Sequence, residues 1–241
     1  MHLELIANLP FNMTKKVLIV LTSCGTIPKS GKPTGWYLPE LAHPYDVLKD
    51  AGVELVFASL EGGIAPLDPA SVKVFGNDPS SQNFLKNHRH TWENTERLSM
   101  YAGRASEFDA IFFPGAHGPM FDLAFDQGSL KLVADFAAQN KPIAAVCHGP
   151  GAIVNVKNHD GSYLLEGRHV TGFSNIEEGK AGYTSEMNFL LEDRIKEVGG
   201  KYATADAPFG EMVSQSTHFW APPPFGHPNK TWHPNINTNH N

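Results

Sequence analysis

The stretch Lys141-Pro142-Ile143-Ala144-Ala145-Val146-Cys147-His148-Gly149-Pro150 constrains this chain more than any other. Its apolar run follows a proline and stops at Cys147, as a short, fully buried strand does. His148-Gly149-Pro150 then forbids the strand to continue. Ala152-Ile153-Val154 resumes a helix-compatible pattern, which puts Cys147 on a sharp strand-to-helix turn. A residue on such a turn is pushed out of the sheet edge, and the small neighbours Ala145 and Gly149 leave room for the backbone. The N-terminal N–H groups of the following helix would face the sulfur, a field that favours thiolate over thiol. His148 stands beside it to hold the proton. The plainer reading is a structural cysteine at a strand end, since free cysteine is among the most buried residue types. His-Gly-Pro directly after it argues for a nucleophile.

Other segments repeat the pattern of buried strands ending in loops. Residues 17–23 are a second apolar run, followed by a Gly- and Pro-rich loop that carries Cys24, which has no base beside it and reads as a packing residue. Residues 35–50 have a helical pattern stopped at Gly52, and residues 53–59 are a further strand. Strand, helix and strand at this spacing make a right-handed crossover in a parallel sheet. Within that helix Glu40 precedes Ala42-His43-Pro44; an acid in a first turn commonly serves only the helix dipole. Residues 108–113 form another strand, ending in Pro114-Gly115-Ala116-His117-Gly118, where glycines free backbone N–H groups to meet a ligand oxygen. Residues 120–125 and 129–140 look helical, 164–173 a hairpin-like turn into a strand, 186–199 an amphipathic helix and 201–204 a short strand.

Taken together, Ala-Ala-Val-Cys147-His148-Gly149-Pro150, residues 34–44, Phe113-Pro114-Gly115-Ala116-His117-Gly118, Leu165-Glu166-Gly167 and Val170-Thr171-Gly172-Phe173 resemble the DJ-1/PfpI superfamily. More narrowly they resemble its Hsp31-like glutathione-independent glyoxalases, also called glyoxalase III or D-lactate dehydratases. The resemblance runs from about residue 16 to about residue 211. It implies an α/β fold, a doubly wound, mostly parallel, flavodoxin-like sheet of the class I glutamine amidotransferase type, with a cap-like insertion over about residues 61–107. It also implies a lyase that converts methylglyoxal and water to D-lactate through a cysteine hemithioacetal and an enediol. Carried onto this sequence, Cys147 is the nucleophile, Glu40 the general base that points into the cysteine pocket, and His148 the proton shuttle. Glu178 is the acid that orients His148, with Glu177 as the near alternative. Gly115 and Ala116 supply the oxyanion hole, and His117 and Gly149 border the substrate. No cofactor and no metal is implied. The resemblance leaves a homodimer open, and it places the protein in the cytoplasm, with the nucleus as a further setting. Rival readings are a cysteine peptidase or protein deglycase using the same Cys-His-acid set, and a stress-related holdase or redox sensor in which Cys147 is oxidised rather than turning over.

Composition excludes several classes. A net charge of −6 over 241 residues argues against nucleic acid, which would want a basic patch. Two cysteines, Cys24 and Cys147, are too few for a disulfide framework and suit a reducing compartment. The longest apolar runs are of strand length, so no membrane span is expected. Residues 1–14 read as a poorly patterned leader without signal-peptide character, residues 15–211 as the catalytic domain, and residues 212–241 as an atypical tail. The tail departs from the resembled family, which closes with a strand and a helix. Here three consecutive prolines, Pro222 to Pro224, and runs of Asn and His leave no helical or strand period, as in an altered C-terminus. Most of the tail is expected to be disordered, above all beyond about Pro222, with at most Thr217 to Trp220 docked near the elbow side.

Overall fold

Val17, Leu18, Ile19, Val20 and Leu21 are all but inaccessible to solvent, and the strand they form, β1 (Lys16–Leu21), runs through the middle of a seven-stranded sheet. The computed structural model describes residues 14–216 and 219–221. The remaining strands are β2 (Glu54–Ser59), β3 (Glu96–Arg97), β4 (Ala110–Phe113), β5 (Ile143–Ala145), β6 (His169–Val170), β7 (Lys201–Tyr202), β8 (Ser214–Ser216) and β9 (Phe219–Ala221). The helices are α1 (Leu38–Asp50), α2 (Pro69–Phe75), α3 (Pro79–Asn87), α4 (His90–Glu93), α5 (Gln127–Ala138), α6 (Asn175–Ala181) and α7 (Leu191–Glu197).

The sheet order is β3-β2-β1-β4-β5-β9-β8, parallel throughout except for the antiparallel β8–β9 pair. The chain winds outward from β1 to β3, returns to the other side of β1 at β4, and winds outward again. β1 and β4 therefore flank the point where the winding reverses. In such sheets ligands bind at the carboxyl ends of the strands around that point. This is the doubly wound α/β arrangement read from the sequence. β6 and β7 form a separate parallel pair. No helix among the described residues is long and apolar enough to cross a membrane.

Residues 61–107, where the sequence pattern is weak, are built mainly of α2, α3 and α4 and supply β3 to the sheet edge. Their anchor is aromatic. Trp36 is fully buried and meets Phe84 and Trp92 with ring centroids 6.2 and 5.4 Å away. Its backbone also forms a bridge to this segment: the Trp36 N–H donates to the Pro66 carbonyl at 2.9 Å, and the Asp68 N–H donates to the Trp36 carbonyl at 2.9 Å. That bridge pins Asp68 beside Tyr37 and the start of α1. His88 caps the end of α3, with the Tyr45 hydroxyl 3.1 Å from its Nδ1.

Two expectations are corrected. The helix expected over 186–199 is ordered only as α7, because Ser185 and Met187 turn their carbonyls to the Lys29 ammonium instead. The chain after Met212, expected to lack strands, supplies β8 and β9. β9 pairs with β5, matching Ile143 to Phe219 and Ala144 to Trp220. The open edge of the short buried strand β5 presents N–H and C=O groups that need partners, and these few residues supply them. The expectation of disorder beyond Pro222 lies outside the described residues, as does the leader through Met13.

Candidate active site

Cys147 follows β5 with φ of +58°, a left-handed conformation that costs a non-glycine residue energy and persists where the surroundings enforce it. Two glycines make the turn possible. A Cβ on Gly149 would lie 2.3 Å from the Phe113 carbonyl oxygen. A Cβ on Gly115 would meet the Val146 carbonyl oxygen at 2.5 Å, Glu40 Oε2 at 2.7 Å and Cys147 Cβ at 2.8 Å. The loop after β4 and the turn after β5 are thus packed backbone to backbone. The helix expected after the elbow is a single 3-10 turn, Gly149–Ala152. Pro150 and two glycines leave it too short for a long-helix field.

The site holds a chain of acid and base groups. His148 Nδ1 lies 3.4 Å from Cys147 Sγ, and its Nε2 lies 2.7 Å from Glu178 Oε2. The other oxygen, Glu178 Oε1, is 2.8 Å from Nε2 of His117, whose ring stands 4.3 Å from that of His148. One carboxylate therefore receives N–H donors from two imidazoles. Burial by itself would raise the Glu178 carboxyl, but its close contacts with His148 and His117 outweigh it and hold the group far below the usual carboxylate range. Burial, with His117 adding to it, pushes His148 down, so its imidazole is neutral. With Nε2–H given to Glu178, its Nδ1 is left as a lone pair facing the sulfur. Glu177, one residue earlier, does a different job. It forms a capping box with Ser174 at the start of α6 and accepts the Phe209 N–H at 2.6 Å.

Glu40 reaches the same sulfur from α1. It is 1 % exposed, accepts the Gly115 N–H at 2.7 Å and is hydrogen-bonded to the Cys147 side chain. Burial raises its carboxyl to about 8, against the pull of those hydrogen bonds and with a smaller push from Asp68. Cys147 is raised well above an ordinary thiol, first by burial and then by the Glu40 charge, while the N–H groups of Ala116 and His148 pull it back. This reverses the expectation of a resting thiolate. Cys147 is 6 % exposed, its sulfur stands beside a carboxyl, and its proton is kept until a base takes it.

The expected oxyanion donors sort differently in the structure. Ala116 and, unforeseen, the N–H of His148 point at the sulfur. The Gly115 N–H is taken by Glu40, and the Gly149 N–H closes the elbow onto the Val146 carbonyl at 2.7 Å. Both glycines serve close packing instead. His117 does line the pocket, with its ring also 4.5 Å from that of Tyr183.

The pocket measures about 220 Å³, and besides Glu40, Ala116, His117, Cys147 and His148 it is lined by Tyr37, Asp68, Ala70, Phe173, Ala181, Tyr183 and Phe209. Four non-glycine residues among those described have positive φ, and three of them (Ala116, Cys147, Phe209) line this pocket, where strain is concentrated. His117, His148 and Glu178 also bring ligand atoms within 4.8 Å of one another, a spacing that a metal ion accepts. Both imidazole protons on that carboxylate would have to leave first.

Comparison with known proteins agrees with this geometry. The model of the DJ-1/PfpI family matches residues 35–212. The chain is 29% identical over 207 residues to a Candida albicans protein named glyoxalase 3, covering 82% of this chain and 87% of that one. It is 28% identical over 205 residues to a Saccharomyces cerevisiae protein named glutathione-independent glyoxalase HSP31, covering 82% and 86%. Among solved structures, the Candida albicans glyoxalase III superposes with a TM-score of 0.78 at 25% identity, covering 86% of this chain and 90% of that one. The Rapid Encystment Protein 24 KDa of Francisella tularensis superposes with a TM-score of 0.80 at 35% identity, covering 87% and 92%.

Proposed function

The chain belongs to the DJ-1/PfpI family, and from that premise and the geometry of its pocket we propose that it is a glutathione-independent glyoxalase, a lyase turning methylglyoxal and water into D-lactate. The observation that carries this reading is the meeting of Glu40 and Cys147 in one buried pocket, with the carboxyl tuned to about 8. A base that must remove a proton from carbon works best with a proton affinity near ambient pH. The named relatives point to the same activity. At about 220 Å³ the pocket is smaller than the roughly 300–1,000 Å³ cavities of drug-sized ligands, which suits a three-carbon aldehyde better than an extended peptide.

The steps follow from the distances. As the sulfur adds to the aldehyde carbon, His148 Nδ1, 3.4 Å away, takes the thiol proton and passes it to the aldehyde oxygen, giving a neutral hemithioacetal. Glu178, held as a carboxylate, supports the imidazolium formed on the way, and His117 fixes Glu178 from the other side. The N–H groups of Ala116 and His148 steady charge around the sulfur and its adduct. Glu40 as carboxylate then removes the hydrogen from the former aldehyde carbon while the neighbouring ketone oxygen gains a proton, making an enediol. Glu40 returns its proton to the former ketone carbon from its fixed side, which sets one enantiomer, and the first carbon's hydroxyl loses its proton. The result is a lactyl thioester. One carbon has been oxidised and its neighbour reduced, so no external electron acceptor takes part. Water cleaves the thioester and restores the thiol.

The experiment is direct. Purified protein given methylglyoxal without glutathione or added metal should form D-lactate, and Cys147→Ala should form none, because the other cysteine, Cys24, does not line this pocket. Lactate formation that survives in Cys147→Ala would sink the mechanism.

A further inference from the structure

We propose that Asp68 determines specificity in this pocket: its buried carboxylate excludes anionic ligands, so the site admits uncharged 2-oxoaldehydes and rejects the carboxylate it produces. The inference rests on the glyoxalase reading for the identity of that product. Its physical basis stands on the pocket alone.

Lysine and arginine are absent from the residues that line the cavity, while Glu40 and Asp68 both stand in its wall. Of the two histidines in the wall, His148 is pushed down by burial, and both rings are turned to Glu178. Asp68 is 6 % exposed and held on every side. Its Oδ1 accepts the Ala70 and Ser71 N–H groups at 2.7 and 3.0 Å, its Oδ2 accepts the Thr34 hydroxyl at 3.3 Å, and its own N–H is bound to Trp36. The N–H groups at the start of α2 are spent on this side chain and do not face the cavity. No cation forms an ion pair with it among the described residues. Its field is felt in the pocket: after burial, Asp68 is among the charges that raise both the Glu40 carboxyl and the Tyr37 phenol.

A second negative charge brought into such a space is disfavoured, because little water remains to screen the two. Methylglyoxal enters without charge and meets no such barrier. The product carboxylate appears on the carbon that was bonded to Cys147, beside Glu40 and Asp68 and with no lysine or arginine in the pocket wall, and repulsion drives it out. Specificity here comes from a repulsive element as well as from attractive contacts.

An N-cap alone would also explain an aspartate before Pro69, and asparagine separates the two roles, since Asn and Asp cap helices about equally well. The test compares alkylation of Cys147 by neutral iodoacetamide and by anionic iodoacetate, each rate referred to free cysteine. Wild-type protein should discriminate against iodoacetate, and Asp68→Asn should shrink that discrimination on the order of ten-fold, which is about 1.4 kcal/mol. Inhibition of turnover by D-lactate and by glyoxylate should tighten in the same variant, while inhibition by neutral hydroxyacetone stays within about two-fold. Asp68→Ser, which also keeps a capping oxygen, serves if the asparagine variant does not fold. Unchanged discrimination between the two alkylating agents in a folded variant overturns the proposal, as does an equal shift for neutral and anionic inhibitors. The alkylation readout needs no turnover, so a protein that made no lactate would refute the glyoxalase reading and leave this one separately decided.

Discussion

Folding moves the Glu40 carboxyl from water into a site where it is 1 % exposed, and its proton affinity rises from an ordinary 4.5 to about 8. Between those values the folded chain holds a proton that the unfolded chain has released, so stability falls as pH rises through that window. At pH 7 the gap spans about 2.5 pH units, and at about 1.36 kcal/mol per unit this costs the folded state on the order of 3 kcal/mol. At pH 5 the same cost is under about 1 kcal/mol. Glutamine at position 40 keeps an oxygen for the Gly115 N–H and carries no proton to lose. Glu40→Gln should therefore melt close to wild type at pH 5 and above it at pH 7, by roughly 6–12 °C at 2–4 °C per kcal/mol for a domain of this size. The assay is a pair of melting curves measured from pH 5 to pH 8.5, with lactate formation followed in parallel. Activity should disappear in the variant, and Cys147 should remain reactive toward iodoacetamide. Melting temperatures that run parallel across the whole pH range would refute the reasoning, for they would mean that Glu40 does not hold a proton in the folded protein.

Further outcomes follow from the same geometry. The kcat/KM of the wild type should climb with pH and level off above about 8, as Glu40 becomes the carboxylate that removes the carbon-bound proton; a flat profile from pH 6 to pH 9 would assign that step to another group. Glu178→Ala should lower kcat on the order of a hundred-fold, since His148 loses its orienting partner, whereas Glu177→Ala should chiefly lower the melting temperature, by about 1–2 kcal/mol of lost capping; kinetics and melts of the two variants distinguish them. Gly115→Ala should destabilise the protein by roughly 1–3 kcal/mol and abolish turnover, because its methyl group meets Glu40 and Cys147 within 3 Å; a variant with wild-type kcat would show that the two loops yield freely.

What could be read in advance was whatever one local segment settles. A fully buried strand such as β1 must be apolar along its length, and a nucleophile elbow needs small residues directly around it, so both announce themselves in consecutive letters. The choice between Glu177 and Glu178 was also within reach. Ser174-Asn175-Ile176-Glu177 has the capping-box spacing, which commits Glu177 to the helix start and leaves Glu178, about 100° further round α6, for the histidines. Asp68-Pro69 likewise announces a capped helix, but nothing in those letters says that the carboxylate also faces a catalytic cavity. That fact depends on the Trp36 bridge joining two distant parts of the chain. The protonation of the sulfur is non-local in the same way. Around the elbow alone, the neighbouring N–H groups argue for thiolate; burial of the sulfur first, and then Glu40, delivered by α1 and propped by the N–H after β4, reverse the sign. β9 is a smaller case, three residues with too little pattern to read, given strand form by the open edge of β5. In each case the unread property belongs to a pair of segments, and it exists only once the winding of the sheet has brought the strand ends together.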